Sequence, residues 1–289
     1  MKILVIGNGF IGSSIVHKLE QDGHELLIFS RTRKAGILSP QIIGDIFRWK
    51  DFLETLTWEP HVIVHTAWIT SHGEYPEDSS NFDYAEFTAR LADTVSKHKL
   101  KHLIVLGSCA EYGDQTGVSV AGITELKPNN LYAKQKIEAF NAAKFSLLGT
   151  EVRLTWARIF QPYGPYQDKK RLIPSIIGSL NKNLQVELHD TSCIRDWITT
   201  RDIASAISWI IKNDTPIEVD VGTGIGYTNN DVLQHVELLL GRSGQSAPTP
   251  SLPSVKTKVS LVGKDSPLFV LGWLPKDSLY SGLEWVIRS

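Results

Sequence analysis

The sequence has little cysteine, no excess of charge of either sign and no long apolar run, and each shortage excludes a class of protein. The 289 residues include two cysteines, Cys109 and Cys193, which cannot form a disulfide framework and which fit a reducing compartment. Lys and Arg number 30 against 31 Asp and Glu, so the chain lacks the basic excess that nucleic-acid binding requires. No apolar run approaches the roughly 18 residues of a membrane span, and the run behind Met1 is too short for a signal peptide. We therefore expect a soluble cytoplasmic protein that binds neither nucleic acid nor a membrane.

Apolar, β-rich runs alternate with helical patterns along the first half of the chain. The predicted strands are Lys2–Ile6, Leu26–Phe29, Val62–Val64 and His102–Leu106, and the predicted helices are Phe82–His98 and Tyr132–Phe145. Strands that alternate with helices form βαβ units, whose strands lie parallel under helices on both faces. The sequence therefore predicts an α/β fold, a doubly wound parallel sheet of the Rossmann type.

The texture of the sequence changes after about Ile159. Prolines and glycines interrupt the longer patterns, and a Ser/Pro-rich stretch runs from Ser243 to Ser254. We predict a dinucleotide-binding domain at residues 1–160, to which residues 193–221 return. Residues 161–289 are predicted to form a smaller, loop-rich C-terminal lobe that binds the substrate.

A glycine-rich turn follows the first predicted strand and opens a helical pattern. Its sequence is Gly7-Asn8-Gly9-Phe10-Ile11-Gly12. Glycines at these places permit a tight turn, close approach of the backbone to a pyrophosphate and close packing of helix on strand. The N-terminus of the helix then presents unpaired N–H groups to the phosphates. The turn predicts a dinucleotide site.

The end of the second predicted strand indicates which dinucleotide binds. A carboxylate there would bind the adenosine ribose of NAD, but the residues are Ser30-Arg31-Thr32-Arg33. Guanidinium groups match phosphate geometry through paired hydrogen bonds. Ser30, Arg31 and Arg33 therefore predict the 2′-phosphate of NADP, with NAD as the alternative if the arginines are only solvated loop residues.

Tyr132 and Lys136 stand four residues apart and share one face of a predicted helix. A tyrosine hydroxyl ordinarily titrates near pH ~10, and a neighbouring ammonium favours its anionic form. Such a pair can serve as an acid/base on an alcohol or a ketone. Upstream, Ser108 follows a strand in the segment Gly107-Ser108-Cys109-Ala110-Glu111-Tyr112-Gly113 and supplies a hydroxyl donor.

These motifs together resemble the extended short-chain dehydrogenase/reductase family, which contains NAD(P)-dependent nucleotide-sugar epimerases, dehydratases and reductases. The resemblance runs over nearly the whole chain. Besides the glycine turn, Ser108, Tyr132 and Lys136, the matching segments are Asp45-Ile46, Val64-His65-Thr66-Ala67, Asn81, Arg158 to Pro165, Leu172-Ile173-Pro174, Arg195-Asp196, Asp202-Ile203-Ala204, Val221 to Gly224, Leu271 to Lys276 and Gly282-Leu283.

The resemblance implies a role for each matching residue. Tyr132 is implied to be the proton donor or acceptor, Lys136 to lower its pKa and hold the nicotinamide ribose, and Ser108 to hydrogen-bond the reacting carbonyl or hydroxyl. The cofactor residues that it implies are Gly7, Gly9, Phe10, Ile11, Gly12, Asp45, Ile46, Thr66, Ala67, Tyr132 and Lys136. Arg195 is implied to hold the substrate pyrophosphate, and Gln161 stands where most members have an Asn that contacts it. The loop between the first two glycines is one residue shorter than usual.

Residues that the chain lacks help to choose among the reactions of the family. Dehydratases of the family carry Asp-Glu after the catalytic hydroxyl, where this chain has Cys109 and Ala110. Members that epimerise at C3 or C5 use a Cys and a His, and Arg171 occupies the place of that His. Cys109 is interpreted as a small packed thiol, and the scattered histidines predict no metal site. Reduction, oxidation or C4 epimerisation remain.

The leading prediction is NADPH-dependent reduction of the 4-keto group of a nucleotide-diphosphate 4-keto-6-deoxyhexose. Arg31 favours exchangeable NADPH, and the segment from Gly107 to Gly113 resembles a variant found in 4-keto-6-deoxysugar reductases. The alternatives are an NAD-dependent nucleotide-sugar C4 epimerase and a non-catalytic NADP-sensing protein. By analogy with the fold, the helices at residues 82–98 and 131–146 predict a homodimer.

Overall fold

The computed structural model describes residues 1–188, 191, 193–242 and 260–289. The Ser/Pro-rich stretch from Ser243 to Ser254 lies outside these residues. The strands are β1 Lys2–Ile6, β2 Glu25–Ser30, β3 Gln41–Ile43, β4 Val62–His65, β5 His102–Ser108, β6 Thr116–Val118, β7 Arg153–Ile159, β8 Gln161–Tyr163, β9 Ile194–Thr199, β10 Glu218–Val221, β11 Gly226–Thr228 and β12 Ser260–Val262. The helices are α1 Phe10–Gln21, α2 Trp49–Leu56, α3 Ser80–Val95, α4 Leu131–Leu147, α5 Leu172–Asn181, α6 Thr200–Lys212, α7 Asn229–Leu239, α8 Pro267–Val270 and α9 Leu279–Arg288.

A seven-stranded parallel sheet forms the centre of the molecule, with strand order β10-β7-β5-β4-β1-β2-β3. From β1 the chain first adds β2 and β3 on one side and then crosses to add β4 and β5 on the other. The order therefore reverses between β1 and β4, and ligands of such sheets bind at the carboxyl ends of the strands beside that point. The predicted doubly wound parallel sheet is confirmed.

The central strands β1, β2, β4 and β5 are buried on both faces, which explains their almost uninterrupted apolar sequences. In β1, Ile3 and Val5 pack on one side in a cluster with α1 and α6. Leu4 and Ile6 point to the opposite side, into a cluster with α2, α3 and α4. Two helical layers thus cover the sheet and hold its strand ends in fixed positions.

The C-terminal lobe contains a second sheet and several helices. Strands β11, β9, β12 and β6 are neighbours in that order, and β8 pairs with β9. Helices α5, α7 and α9 share a buried core that includes Tyr163, Trp197 and Val232. The predicted lobe at residues 161–289 stays a prediction. Pro174, which the sequence analysis treated as an interruption, lies in the first turn of α5, where its missing N–H breaks no helical hydrogen bond.

Residues 193–221 are divided between the two sheets. Strand β10 extends the large sheet beside β7, and α6 packs against α1, whereas β9 belongs to the smaller sheet. The predicted domain bounds stay a prediction.

Helices α3 and α4 lie against each other on one face of the large sheet. They leave Phe82 and Phe145 exposed. The predicted homodimer through these helices stays a prediction. Within the described ranges, no helix has the length and apolar character to cross a membrane.

Candidate active site

A cleft of about 400 Å³ opens at the carboxyl ends of the central strands, where the strand order reverses. It brings together most of the residues that the sequence predicts for a site. Those that line it are Gly7, Gly9, Phe10, Ile11, Gly12, Ser30, Arg31, Asp45, Ile46, Thr66, Ala67, Ser108, Tyr132, Lys136 and Gln161. Arg33 and Arg195 are not among its lining residues.

The glycine turn is packed so closely against the end of β4 that a side chain does not fit at Gly7 or at Gly12. Gly7 has φ +95°, and a Cβ there would lie 2.7 Å from the Thr66 hydroxyl and 2.8 Å from the Ala67 amide nitrogen. A Cβ on Gly12 would lie 2.4 Å from the carbonyl oxygen of Gly7. The N-cap of α1, Gly9, offers no side chain to the first N–H groups of the helix. These groups remain available to a phosphate, so the turn fits the pyrophosphate of a dinucleotide.

Asn8 adds a polar group that the glycine motif does not specify. Both polar atoms of its side-chain amide are buried without a hydrogen-bond partner, and the residue lines the cleft. A buried polar group without a partner is rare because it costs about 1–3 kcal/mol. The orphaned amide indicates a polar ligand at this end of the cleft, and the residues present therefore fit a dinucleotide.

The two arginines that predict NADP, Arg31 and Arg33, follow β2 but point in different directions. The Ser30 hydroxyl donates to the carbonyl of Thr32 at 2.9 Å, and Arg31 lines the cleft. Arg33 turns away, and its guanidinium donates to the carbonyl of Gln41 at 3.4 Å. A single guanidinium, that of Arg31, thus faces the cleft from this loop.

Ser108 is the last residue of β5. Its hydroxyl and its amide both form hydrogen bonds with the short 3₁₀ helix that follows, Cys109–Tyr112. Its hydroxyl oxygen accepts from the Ala110 amide at 3.2 Å, while its own amide donates to the Glu111 carboxylate at 2.7 Å. The fully buried Glu111 also forms an ion pair with Arg158 at 2.7 Å and accepts from the Trp156 indole. Sequence reasoning gave Glu111 and Arg158 no role, since the pair joins segments 47 residues apart.

Tyr132 and Lys136 share the face of α4 that is turned to the cleft, and both are buried. Burial raises the pKa of the Tyr132 phenol, and a hydrogen bond with Ser108 lowers it by less. Burial also lowers the pKa of Lys136, to about 7, while its Nζ donates to the carbonyl of Leu106 at 2.6 Å. Without a dinucleotide, Tyr132 therefore holds its proton and Lys136 changes its charge near neutral pH.

Arg171 lines the cleft, whereas Arg195 does not. Arg195 donates to Asn229 at 3.3 Å, away from the cleft lining. Arg171 lines the cleft beside Gln161 and donates to the carbonyl of Thr70 at 2.9 Å. In the sequence, Arg171 is distinguished only as the residue that replaces the His of C3 and C5 epimerases. No local pattern identifies it, because its contact with Thr70 joins segments 101 residues apart.

Cys109 lies in the cleft beside Ser108 with a free thiol. Burial raises the pKa of this thiol to about 12, so it carries no charge and is a poor nucleophile. Among the residues that the structure describes, no group of three or more His, Cys, Asp or Glu side chains is placed to hold a metal ion.

The parallel sheet, the glycine turn after β1 and the Ser-Tyr-Lys cluster at its carboxyl edge define the class of extended short-chain dehydrogenases/reductases. The sequence model of the NAD dependent epimerase/dehydratase family matches residues 3–222. The chain belongs to this family, as its motifs predicted.

Similar proteins include epimerases and a dehydratase. The chain is 23% identical over 308 residues to the UDP-glucose 4-epimerase of Rhizobium meliloti (strain 1021), with 96% of this chain and 93% of the relative covered. It is 26% identical over 254 residues to the dTDP-glucose 4,6-dehydratase of Streptomyces antibioticus, with 80% and 75% covered. The crystal structure of Thermus thermophilus UDP-glucose 4-epimerase complexed with NAD matches with a TM-score of 0.86 and 24% identity, covering 100% of this chain and 98% of that one. The predicted 4-ketoreductase activity and NADP preference stay predictions.

Proposed function

We propose that this protein catalyses dinucleotide-dependent oxidation and reduction at C4 of a nucleotide-diphosphate sugar, with 4-epimerisation as the overall reaction. The observation that carries the proposal is the cluster of Ser108, Tyr132 and Lys136 in the cleft that begins at the glycine turn. The likeness to UDP-glucose 4-epimerases over 96% of the chain supports a UDP-hexose as the substrate class.

The nucleotide half of the cleft would hold NAD or NADP through its backbone. Gly7 and Gly12 let the turn pack against the end of β4, Gly9 faces open space where a pyrophosphate can approach the backbone, and the first N–H groups of α1 would bind it. Thr66 and Ala67 line the path from there to Tyr132. A bound dinucleotide supplies the hydride acceptor and donor of the reaction.

Tyr132 would exchange the proton that accompanies the hydride. Its buried phenol holds a proton that it can donate to a carbonyl oxygen, and the phenolate left behind, which the Lys136 ammonium favours, can accept the proton of a hydroxyl. The Ser108 hydroxyl accepts from the Ala110 amide and bonds the Tyr132 phenol, and its hydrogen would turn to the same substrate oxygen when a substrate binds. The Lys136 ammonium would bind the nicotinamide ribose.

The sugar half of the cleft would bind the substrate through side chains. Gln161 can donate to a diphosphate oxygen, and Arg171 can bind a diphosphate or a sugar hydroxyl from the mouth of the cleft. Arg195 would take part only after leaving Asn229, to which it now donates. We infer Arg171 as the first guanidinium that a substrate meets.

A second candidate is the NADPH-dependent 4-ketoreductase that the sequence analysis put first. Arg31 favours it, because a guanidinium at the end of β2 suits the 2′-phosphate that distinguishes NADPH from NADH. A reductase releases its dinucleotide in every cycle, whereas an epimerase returns the hydride to the same sugar and needs no net supply.

The two candidates are separated by the purified protein itself. The dinucleotide that it retains is identified after denaturation, and conversion of UDP-glucose to UDP-galactose is followed without added cofactor. Retained NAD with conversion supports the epimerase. NADPH consumption with a nucleotide-diphosphate 4-keto-6-deoxyhexose supports the reductase. Dinucleotide binding without turnover on either substrate rejects both and favours a sensor, with Tyr132→Phe as the inactive control.

A further inference from the structure

Three aromatic rings surround the ammonium of Lys136, and one of them is much closer than the others. The Nζ atom lies 3.8 Å from the centroid of the Trp68 ring, compared with 5.8 Å for Tyr132 and 6.0 Å for Trp156. A cation within about 6 Å of an indole face is attracted to it, and the attraction is stronger when both groups are desolvated. Trp68 lines the cleft but has no part in the roles proposed above.

Little else stabilises this buried ammonium. Its other contact is the Leu106 carbonyl at 2.6 Å, and within the described part of the chain no carboxylate forms an ion pair with it. The charge of Glu111 favours the ammonium, but this carboxylate is engaged by Arg158 at 2.7 Å and by the Ser108 amide. Since a buried charge without compensation is strongly disfavoured, the indole face is a main source of compensation.

The orientation of Trp68 is fixed by contacts that do not involve Lys136. Its Nε1–H donates to Oδ1 of Asn81 at 2.8 Å, and the amide of this fully buried Asn81 donates in turn to the carbonyls of Tyr75 and Asp78. The Tyr84 ring stacks on the indole at 5.6 Å and 23°. The ring is therefore held in place before any ligand binds, which is how a positioning residue must be built.

We propose that Trp68 is a positioning residue whose indole face holds the Lys136 ammonium beside Tyr132, where it can reach a bound dinucleotide. Only the last clause rests on the proposed function. Burial lowers the pKa of Lys136 to about 7, so the ammonium loses its charge within a range of pH that can be measured. Removal of the indole face then lowers that pKa further, because the charged form loses its partner.

Two substitutions isolate the face of the ring. Trp68→Phe and Trp68→Leu both lose the Nε1–H bond to Asn81, but only the phenylalanine keeps an aromatic face toward Lys136. Urea unfolding of the dinucleotide-free variants is measured at pH 5.5 and at pH 9. At pH 5.5 Lys136 is charged in the phenylalanine variant, so the aromatic face stabilises the folded state. At pH 9 Lys136 is neutral in both variants and the contribution is lost.

At each pH we take the ratio of the unfolding equilibrium constants of the two variants. If the pKa of Lys136 differs by one unit between the folded variants, this ratio should be roughly tenfold larger at pH 5.5 than at pH 9. The other ionisable groups that face Lys136 do not create this change. Burial lowers the pKa of His65 on β4 to about 3 and raises that of Tyr132 on α4, so both stay neutral throughout. The ion pair of Glu111 with Arg158 is common to both variants.

A matched control lies outside the cleft, where Trp49 packs on Arg90 at 4.3 Å. Because arginine does not titrate in this range, Trp49→Phe and Trp49→Leu should differ by the same amount at both pH values. An equal gap at both pH values for the Trp68 pair overturns the proposal and makes Trp68 a packing residue.

Should Trp68→Leu fail to fold, Trp68→Phe is compared with wild type in the presence and absence of Lys136→Met at pH 5.5. A smaller cost of Trp68→Phe in the methionine background supports the proposal, and an unchanged cost rejects it. No dinucleotide or substrate enters either measurement. Failure of the proposed function, seen as absent turnover, is therefore distinguishable from failure of this inference.

Discussion

The two halves of the cleft are built in different ways. In the nucleotide half the backbone forms the site: the glycine turn is pressed against the end of β4, and its strands are buried in the large sheet. In the sugar half the lining consists of side chains from the lobe, such as Gln161 after β7 and Arg171 before α5. The Arg171 guanidinium donates to the carbonyl of Thr70 across the cleft. The nucleotide half thus depends on the fold itself, whereas the other half depends on which side chains the lobe supplies.

Tyr132 stands where the two halves meet, and its substitution should have the largest effect. Tyr132→Phe removes the phenolic proton and keeps the ring, so turnover should fall by ~10²–10⁴-fold while dinucleotide affinity stays close to wild type. Steady-state kinetics and calorimetric titration measure the two quantities. The control is Tyr75→Phe, which removes a hydroxyl from the ring 4.9 Å away, edge-on to Tyr132, and should change turnover only a few-fold. Equal losses in both variants would exclude Tyr132 as the acid/base.

The same contrast explains what the sequence could reveal. The glycine turn, β1, β4, β5 and the Tyr132–Lys136 spacing were predictable because strict backbone geometry limits the residue types at those places. Strands β3 and β7 and helices α2, α5, α7 and α9 were not predicted. Helix α2, for example, has only eight residues and no side-chain N-cap bond.

Contacts between distant segments also escaped sequence reasoning. Glu111 pairs with Arg158, Arg171 reaches Thr70 across 101 residues, and Trp68 covers Lys136. Each depends on where the fold brings two segments together, and no local pattern records that. Arg195 and Arg33 show the converse, since both occupy motif positions and their guanidinium groups contact other residues.

The dependence of the nucleotide half on its backbone predicts the next largest effect. Gly12→Ala would place a Cβ 2.4 Å from the carbonyl oxygen of Gly7, so the turn must shift. We expect the free energy of unfolding of the dinucleotide-free protein to fall by about 1–3 kcal/mol. Gly9→Ala is the matched control, since nothing lies within 4 Å of its added Cβ and its φ is -79°. Urea unfolding compares them, and equal stabilities would refute the packing argument.

Selection between the two dinucleotides would depend on the Arg31 side chain in this half. Arg31→Ala should weaken NADP binding about tenfold and leave NAD binding unchanged, because a charge-assisted contact to the 2′-phosphate is lost at an exposed, partly screened site. Arg33→Ala should have a smaller effect, since its guanidinium donates to the Gln41 carbonyl outside the cleft. Calorimetric titration of both dinucleotides tests this. Equal affinity of the wild type for NAD and NADP would remove the support that Arg31 gives to a reductase.

The smallest expected effect concerns Asn8, and it has opposite signs in the free and the bound protein. Asn8→Ala removes an amide whose polar atoms are buried without a partner, so the dinucleotide-free protein should become more stable, by up to about 1 kcal/mol. Dinucleotide affinity should fall a few-fold, because the ligand loses the group that the turn holds ready for it. Ser30→Ala is the control with the contrary sign for stability, since its hydroxyl already donates to the Thr32 carbonyl. Urea unfolding without ligand and calorimetric titration with NAD and NADP measure both effects. Loss of stability in Asn8→Ala would mean that the amide supports the fold of the turn. Ligand binding would then not be the only role of this side chain.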